Sequence, residues 1–518
     1  MDIFTTQHWQ LRKPAARGEK GIVASQAREA AEAGAQMLRM GGTAADAAVA
    51  TAFALAAVEP WNSGLGGIGF AQVMKPGHPC ETLDFGPVAP RGLDPSAYPL
   101  TGKMKQDLFA WPEVKGDVNI HGPKSVLIPS AVAGYALLHE RFGKLPVTDV
   151  LAPAIALAKR GLPQDWFTTL KIANSASVLR LYEESARIYL PNGLPPVPPY
   201  QGKPGFFRLG NLAGTLERLA QAGLRDFYEG DVAQAIAADM REMEGFVAAE
   251  DLAACQARFL PAMEVPYRGR RLMLANGLTA APTLRAVLAK LEGAPFTGAP
   301  DAAWYAHLAG ALREAYAERL KGLGDAEPQG ADSCTTHLTV ADRDGMMVAM
   351  TTTLLSSMGS RLVLPRSGVL MNNGVMWFDP QPGTPNAIAP NKRPLCNMCP
   401  VIALDHEGDP LLAGGASGGR RIMASVVQML SYVLDFGMDP EAAAHLPRLD
   451  VSGPDGVTAD ARLGDAVIAA LAADAPVEVV EHAVMPVNFA CPNLILQQGG
   501  TRVGITDVMS PWSAAIAE

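Results

Sequence analysis

Apolar positions in the first part of the chain recur at helical spacing. Residues 25–58 are rich in alanine and predict two closely packed helices, separated at Gly41-Gly42 and ended by Pro60. The proline-rich stretch 190–206 is predicted to be a loop. Further helical patterns cover residues 129–160, 212–222, 231–242, 283–291 and 301–320.

The pattern changes at residue 335. From Thr335 to Met371 it has mostly period two with β-branched residues, which is typical of strands. Strand-like segments follow at 401–405 and 410–414, and a helix is predicted over 421–436. A helical first half followed by a strand-rich block predicts a layered α/β (α+β) arrangement, with helices packed on sheet.

Composition narrows the classes of partner. The chain has 518 residues, 48% hydrophobic and 18% charged, with a net charge of −9, which argues against nucleic acid or an anionic membrane as the main partner. The longest apolar stretch, residues 44–58, contains Asp46 and is too short to span a bilayer. The N-terminal residues have no apolar signal-peptide region, and six irregularly spaced cysteines make no disulfide framework. We therefore expect a soluble cytoplasmic protein.

Two short motifs resemble cofactor or metal sites. The stretch 64–69, GLGGIG, has the glycine spacing of a dinucleotide-binding turn, but a helix precedes it and a strand follows, which reverses the required order. A close approach of backbones is therefore favoured. Cys396 and Cys399 form a lone C-x-x-C without further zinc ligands nearby, and we expect structural thiols. No cofactor and no metal is predicted.

A third motif, GASGG at 415–419, matches G-x-S-x-G between a strand-like segment and a helix. One interpretation makes Ser417 the nucleophile of an α/β-hydrolase, with His445 or His482 as its base. However, the chain before the motif lacks a regular βαβ alternation. The favoured alternative is a glycine turn at a helix N-terminus, whose backbone N–H groups form an anion or oxyanion site.

The strand-rich block begins with a candidate hairpin. Residues 343–345, Arg-Asp-Gly, fit a three-residue turn with a left-handed glycine, and this turn places Thr335 opposite Thr353. A threonine nucleophile needs a base. His337 is a poorly directed candidate, and the alternative is the α-amine of the threonine itself, freed by cutting the chain before it. From the pattern alone, an ordinary threonine-rich hairpin remains the simpler interpretation.

Several stretches along the chain together carry a family resemblance. In chain order they are GIVASQAREAAEAGAQMLRMGGTAADAAVATAFALAAVEP, SGLGGIGF, PSAVAGYALLHERFGKLP, PAIALAKRG, TTHLTVADRDG, TTTL, SGVLMNN, PNKRPL and GASGGRRI. Through them the chain resembles the gamma-glutamyltranspeptidase family of N-terminal nucleophile (Ntn) hydrolases over nearly its whole length.

The resemblance implies a four-layer αββα sandwich and a precursor that cuts itself. The cut would fall between Cys334 and Thr335. It would leave a large fragment, 1–334, and a small catalytic fragment, 335–518, as a heterodimer in one intertwined body, possibly dimerised further. The substrate would be a small amide or peptide-like molecule.

The resemblance also assigns catalytic roles. Thr335 would be the nucleophile, and its freed α-amine the base. Thr353 matches the threonine that hydrogen-bonds this amine, in agreement with the hairpin geometry. Gly418 and Gly419 match the glycine pair of the oxyanion hole.

The substrate pocket departs from the family pattern. Gly86 replaces the arginine of the D-F-R-E run, and Trp377 replaces the acid that follows L-N-N. Cys396-Asn397 replaces a serine pair, and Leu355 replaces an asparagine. Losing one partner of a buried charge pair typically costs about 3–5 kcal/mol. The resemblance therefore implies an acyl donor other than a standard γ-glutamyl group, as in cephalosporin acylase-like and oxamate amidohydrolase-like relatives.

Three further residues complete the predicted pocket region. Asn373 belongs to the pocket, Arg91 could return a positive charge to it, and Arg393 is expected to be structural. The alternatives are a γ-glutamyltransferase or glutathione hydrolase with substituted contacts, a non-catalytic protein that keeps the fold, and the Ser417 hydrolase.

Overall fold

Helices and strands occur in both halves of the chain. The computed structural model describes residues 9–105, 111–294, 298–323, 333–452 and 455–518. In chain order the strands are β1 (Ala16–Gly18), β2 (Gly21–Ser25), β3 (Ile68–Met74), β4 (Glu81–Phe85), β5 (Leu100–Met104), β6 (Pro112–Val114), β7 (Leu162–Pro163), β8 (Phe206–Phe207), β9 (Arg258–Pro261), β10 (Met263–Tyr267), β11 (Arg270–Leu274), β12 (Ser333–Asp342), β13 (Met347–Ser356), β14 (Val401–Leu404), β15 (Pro410–Ser417), β16 (Leu449–Asp450), β17 (Val457–Asp460), β18 (Val477–Val480), β19 (Cys491–Gln498), β20 (Thr501–Thr506) and β21 (Ala514–Ala517).

The helices connect these strands and cover the sheets that they form. In chain order they are α1 (Arg28–Arg39), α2 (Ala44–Val58), α3 (Ala131–Phe142), α4 (Val147–Arg160), α5 (Trp166–Leu179), α6 (Glu183–Tyr189), α7 (Leu212–Ala222), α8 (Asp226–Glu229), α9 (Asp231–Glu242), α10 (Ala249–Ala253), α11 (Ala281–Leu291), α12 (Ala302–Leu323), α13 (Ile422–Leu434), α14 (Pro440–His445) and α15 (Asp465–Ala472).

Two seven-stranded sheets form the centre of the protein. The first has the strand order β21-β2-β12-β13-β3-β4-β9, and the second has the order β1-β20-β19-β15-β14-β11-β10. Every neighbouring pair in both sheets is antiparallel. Strands from before and after residue 334 stand side by side in each sheet, so the two stretches of chain share one body.

The two sheets pack face to face. Small and medium apolar side chains from both sheets, among them Ile22, Ala349, Ile402, Ala413 and Ile495, form one buried cluster between them. Helices α1 and α2 cover the outer face of the first sheet, and α11 and α13 cover the second. The four-layer αββα arrangement implied by the resemblance is therefore confirmed.

Helix α2 shows why the long apolar stretch is core. All its residues are buried, and its N-terminus carries a capping box in which the Thr43 N–H donates to Asp46 at 2.8 Å. A helix that is apolar on every side must be surrounded by other elements. Across the described ranges, no helix combines the length and the hydropathy needed to cross a membrane.

The helix predictions are largely confirmed, but the extent of the strand-rich block is wrong. Strand β13 ends at Ser356, and soon after it Met358 and Arg361 have positive φ angles of 60° and 59°, which an extended strand does not adopt. The segment to Met371 folds back as irregular loop. Strands from the first half, such as β2 and β4, were not predicted, since each is only five residues long.

The glycine run at 64–69 joins α2 to β3 and brings backbones close together. A Cβ atom on Gly66 would overlap the carbonyl oxygen of Leu370, and one on Gly67 would lie 2.8 Å from the carbonyl oxygen of Thr353. The close-approach interpretation is therefore confirmed. These contacts place the glycine run against the end of β13 and against the loop at Leu370, where the candidate site lies.

Replacing Gly66 with alanine tests this close approach. We expect Gly66→Ala to lower the free energy of unfolding by about 1–3 kcal/mol, since the new methyl group has to displace backbone. Gly310→Ala is the matched control: nothing lies within 4 Å of its Cβ position in α12, so helix propensity predicts a gain of up to about 1 kcal/mol. Denaturant midpoints of both variants measure the difference, and equal midpoints would contradict it.

Candidate active site

The β12–β13 hairpin has the predicted turn. The Asp342 N–H donates to the Met346 carbonyl at 3.1 Å and closes a loop of three residues. Gly345, the last of them, has a φ of 84°. The three-residue turn with a left-handed glycine is therefore confirmed.

The pairing of β12 with β13 keeps the register that this turn sets, except at the first residues of β12. Thr336 lies opposite Thr352, as the turn requires, but Cys334 lies opposite Leu355, so the register shifts by one residue between them. Thr335 stands at this irregularity, which is the kind of feature that re-aims a side chain. The side chain of Cys334 lies outside the described part of the chain.

The irregularity brings the hydroxyl groups of Thr335 and Thr353 together. Their Oγ1 atoms are 3.3 Å apart, and both residues are buried. The Leu355 N–H also donates to Thr353 Oγ1, at 2.8 Å. Thr353 is thus held in place from its own strand, and its hydroxyl faces that of Thr335.

His337 is engaged elsewhere. Thr339 Oγ1 donates to Asn493 Oδ1 at 2.6 Å, so the His337 Nε2–H must be the donor in its 3.1 Å contact with Thr339. The other nitrogen, Nδ1, then accepts from Thr351 Oγ1 at 2.9 Å. Burial lowers the pKa of His337 to about 3. The ring is therefore a neutral part of the interior and not a base for Thr335.

A buried carboxyl group that was not predicted lies beside Thr336, the residue after the candidate nucleophile. Glu59 Oε2 accepts from Thr336 Oγ1 at 2.5 Å, and its Oε1 accepts from Asn62 Nδ2 at 2.8 Å. Burial raises the pKa of Glu59 to about 7, opposed by these hydrogen bonds and by the charge of Lys171. The signal in the sequence was weak: one acidic residue between an apolar helix and Pro60.

The GASGG turn presents backbone donors. Gly418 and Gly419 have φ angles of 139° and 61°, and a 3-10 turn, Gly419–Arg421, leads from β15 into α13. Among the described residues, none accepts a hydrogen bond from the N–H of Gly418 or of Gly419. This 3-10 turn contacts β12. The arrangement suits an anion or a developing oxyanion at a helix N-terminus.

The nucleophile-elbow interpretation of Ser417 is wrong. Strand β15 is antiparallel to both of its neighbours, whereas the elbow sits in a parallel sheet. Ser417 Oγ accepts from Gln26 Nε2. Neither proposed base contacts it: His445 bonds to the Glu441 carbonyl, and His482 faces two arginine side chains.

The positions that depart from the family pattern lie together. Leu355, Trp377 and Cys396 belong to one buried apolar cluster, and Gly86 borders it, because a Cβ on Gly86 would lie 2.5 Å from Phe70 Cζ. The remaining members of this cluster are Ile68, Phe70, Trp111, Met376 and Met398, with Ile120 packed against it. We call it the apolar pocket cluster. Trp111 was not predicted.

A cation lies next to Gly86. The Arg393 guanidinium is 2.8 Å from the position of a Gly86 Cβ, and it pairs with the buried carboxylate of Asp84. Arg258 pairs with the same carboxylate at 3.0 Å. Two arginines on one aspartate leave a net positive charge beside Gly86.

Arg91 borders the same region from another side. A cavity of about 240 Å³ is lined by Gly86, Arg91 and Arg393, among others. The Arg91 side chain is more than half exposed and lies 3.9 Å from Asp251 Oδ1. Its charge is therefore available at the cavity, but next to a carboxylate.

Asn373 and Asn397 are bonded within the protein. Asn373 Nδ2 donates to the Ile120 carbonyl at 2.7 Å and to Ser356 Oγ at 2.8 Å, which braces the turn after β13. Asn397 Oδ1 accepts from the buried Arg319 at 3.1 Å. Both side chains support the walls of the predicted pocket.

Cys396 and Cys399 are buried free thiols. Burial raises the pKa of each to about 12, so neither is a ready thiolate. Within the described ranges, no group of three or more His, Cys, Asp or Glu residues could hold a metal ion.

The chain is similar to known proteins over most of its length. A family model described as Gamma-glutamyltranspeptidase matches residues 30–334 and 326–513. The chain is 30% identical to a glutathione hydrolase proenzyme of Escherichia coli (strain K12), over 83% of this chain and 81% of that protein. It is 29% identical to an acylase ACY 1 proenzyme of Pseudomonas sp. (strain SE83), over 85% of this chain and 84% of that protein.

A solved structure shows the same fold. The cephalosporin acylase from Bacillus halodurans superimposes with a TM-score of 0.84 and covers 100% of this chain and 99% of its own, at 24% identity. The architecture described above is therefore shared with that enzyme.

The buried neutral His337 predicts a pH dependence of stability. Below pH 6.5 the unfolded chain binds a proton that the folded chain, with its pKa of about 3, does not. Stability therefore falls as the pH falls from 6.5 towards 3, by up to about 1.4 kcal/mol per pH unit for this group. His337→Gln should show a shallower slope in urea unfolding at pH 5 and 7. His406→Gln removes an exposed histidine and should keep the wild-type slope.

Proposed function

Since this chain belongs to the gamma-glutamyltranspeptidase family, we propose that it is a self-processing Ntn hydrolase in which Thr335 is the nucleophile. The family acts on amide bonds, and the relatives include both glutathione hydrolase and acylase proenzymes. The single observation that carries the proposal is the hydroxyl pair of Thr335 and Thr353, 3.3 Å apart at a register irregularity in the central hairpin.

The first reaction is cleavage of the chain. Thr335 Oγ attacks the carbonyl carbon of Cys334, the C–N bond breaks, and the acyl group moves from nitrogen to oxygen as an ester. Water then hydrolyses this ester. The products are a carboxylate on Cys334 and a free α-amine on Thr335, so the fragments 1–334 and 335–518 form the active heterodimer.

The second reaction uses the amine that the first one frees. The Thr335 α-amine takes the hydroxyl proton while Oγ attacks the substrate carbonyl, and it returns the proton to the leaving amine. Water then releases the acyl group from Thr335. The hydroxyl of Thr353 is placed to hydrogen-bond the freed amine, and the N–H groups of Gly418 and Gly419 are available for the oxyanion.

The pocket supports an acyl group without an ammonium group. Trp377 stands in the apolar pocket cluster where the family has an acid, and Phe70 and Arg393 occupy the space around Gly86. The members of this cluster carry no carboxylate, and the nearby Asp84 is already paired with two arginines, so burying an ammonium against the cluster would be costly. We therefore propose an acylase-type donor whose acyl group contacts apolar and aromatic surface.

One observation favours a second candidate. The Arg393 guanidinium beside Gly86 is a cation near the place of the missing arginine. A γ-glutamyl carboxylate that reached it would make the protein a glutathione hydrolase with substituted contacts.

Thr335→Ala tests the self-processing. We expect wild-type protein to run on a denaturing gel as two unequal fragments, and Thr335→Ala as one full-length chain without amidase activity, because the variant has no hydroxyl to attack Cys334. Thr335→Ser and Thr501→Ala, an exposed threonine in β20, should still give two fragments. Two fragments from Thr335→Ala would refute Thr335 as the processing nucleophile.

A panel of anilides tests the acyl donor. The γ-glutamyl, glutaryl and phenylacetyl anilides differ in carrying an ammonium and a carboxylate, a carboxylate alone, or neither. Loss of the charge partners predicts at least about a hundredfold lower kcat/KM for the γ-glutamyl anilide than for the best of the others. A preference for the γ-glutamyl anilide would support the glutathione hydrolase candidate instead.

A further inference from the structure

The structure points to a buried residue that acts on the nucleophile through the next residue along the chain. We propose that Glu59 is a positioning residue: its carboxylate anchors Thr336, and through it the freed α-amine of Thr335, and its negative charge makes that amine a stronger base. This inference rests on the proposed function, because it concerns the amine that self-cleavage creates.

The carboxylate has a defined place. Both of its oxygen atoms accept hydrogen bonds, from Thr336 Oγ1 and from Asn62 Nδ2, and Glu59 is 5% exposed. The backbone around it is tied to the end of β13: the Leu354 N–H donates to the Asn62 carbonyl, and the Met358 N–H donates to the Trp61 carbonyl, each at 2.9 Å. Glu59 is therefore fixed by its own surroundings, and it can hold the end of the chain that begins at Thr335 after the cut.

Cleavage makes this anchor important. Before the cut, Thr335 is held by the chain on both sides. After the cut it is the first residue, and it stands at the register irregularity, where the regular ladder has not yet begun. The first regular pair is Thr336 with Thr352. The Thr336 hydroxyl bound to Glu59 thus anchors the residue directly after the new amine, in addition to the Thr353 hydroxyl that faces Thr335 itself.

The charge of Glu59 acts on the same amine. Burial raises the pKa of Glu59 to about 7 while the chain is intact. A new ammonium one residue away favours the ionised carboxylate, and the carboxylate in turn favours the ammonium, so the two groups titrate as a pair. A more basic amine takes the threonine proton more readily.

The other titratable groups near this pair have defined roles. Lys171 in α5 is the cation whose charge acts on Glu59, and it opposes the carboxylate's effect on the amine. Arg420 and Arg421 belong to the 3-10 turn that contacts β12. His337 is neutral because burial lowers its pKa, and on α3 burial raises the pKa of the Tyr135 hydroxyl, which bonds to Thr352 at 2.8 Å. Of the titratable side chains named here, Glu59 is therefore the one that supplies negative charge near the amine.

Glu59→Gln removes the charge and keeps the shape. In the processed enzyme, the acid limb of the kcat/KM profile reports the ionisation of the base. We expect this limb to move to lower pH by about 0.5 to 2 units, which is the size that Coulomb's law gives for nearby unit charges at effective dielectric constants between water and a protein surface. Asp435→Asn is the matched control, since it removes a buried carboxyl that bonds to Tyr267 instead, and its profile should equal the wild type.

Thr336 tests the anchor separately. Thr336→Val removes the hydroxyl that Glu59 holds and should lower kcat at least about tenfold with KM little changed, whereas Thr336→Ser keeps the hydroxyl and should restore the rate. If Glu59→Gln does not fold or does not cleave itself, this pair of variants decides the proposal.

The outcomes separate this inference from the proposed function. An unshifted acid limb in Glu59→Gln, or equal rates in Thr336→Val and Thr336→Ser, would overturn the role of Glu59 while leaving Thr335 as the nucleophile. Processing and activity that survive in Thr335→Ala would overturn the proposed function itself.

Discussion

The register between β12 and β13 is the constraint on which the rest of the site depends. Along β12, His337 and Thr339 face the second sheet, while Leu338 and Val340 pack against the helices. Because side chains alternate across a strand, a slip of one residue would exchange these two sets. It would bury His337 among helices without its hydroxyl partners. The three-residue turn prevents this slip, and it thereby fixes where Thr335 can meet Thr353.

Close packing of backbones links this hairpin to the neighbouring elements. The glycines between α2 and β3 allow contact with the carbonyl groups of β13 and of the loop at Leu370. The same connection carries Glu59 and Asn62, which bind the end of the hairpin. The candidate nucleophile, its proposed partner hydroxyl and the buried carboxyl are therefore held by one small unit of structure.

The substrate side of the site obeys a different requirement, the pairing of buried charge. Asp84 remains buried beside Gly86, and two arginines compensate it. In contrast, the place of the family's acid is taken by Trp377 within the apolar pocket cluster. Under the proposed function, the hairpin keeps the pattern of the family, whereas the pocket has apolar surface where the resemblance implies ionic contacts.

Local rules made much of this protein predictable from its sequence. Helix periodicity located α2, α7 and α9 closely, and turn chemistry alone predicted the hairpin, because both depend on neighbours along the chain. The family resemblance added the four layers and the catalytic roles. Ser417 shows the limit of a motif: its local pattern fits an elbow, but the antiparallel partners of β15 exclude one.

Contacts between distant segments were decided only by the tertiary structure. The Glu59–Thr336 bond joins residues 277 positions apart, and Arg393 reaches Asp84 across 309 positions. No periodicity or short motif encodes such pairs, since they form only when packing brings the segments together. The sequence by itself determined the hairpin, the threonine at its end and the glycine turn; the tertiary structure decided which carboxyl group bonds to the next threonine and which apolar residues cluster beside Gly86.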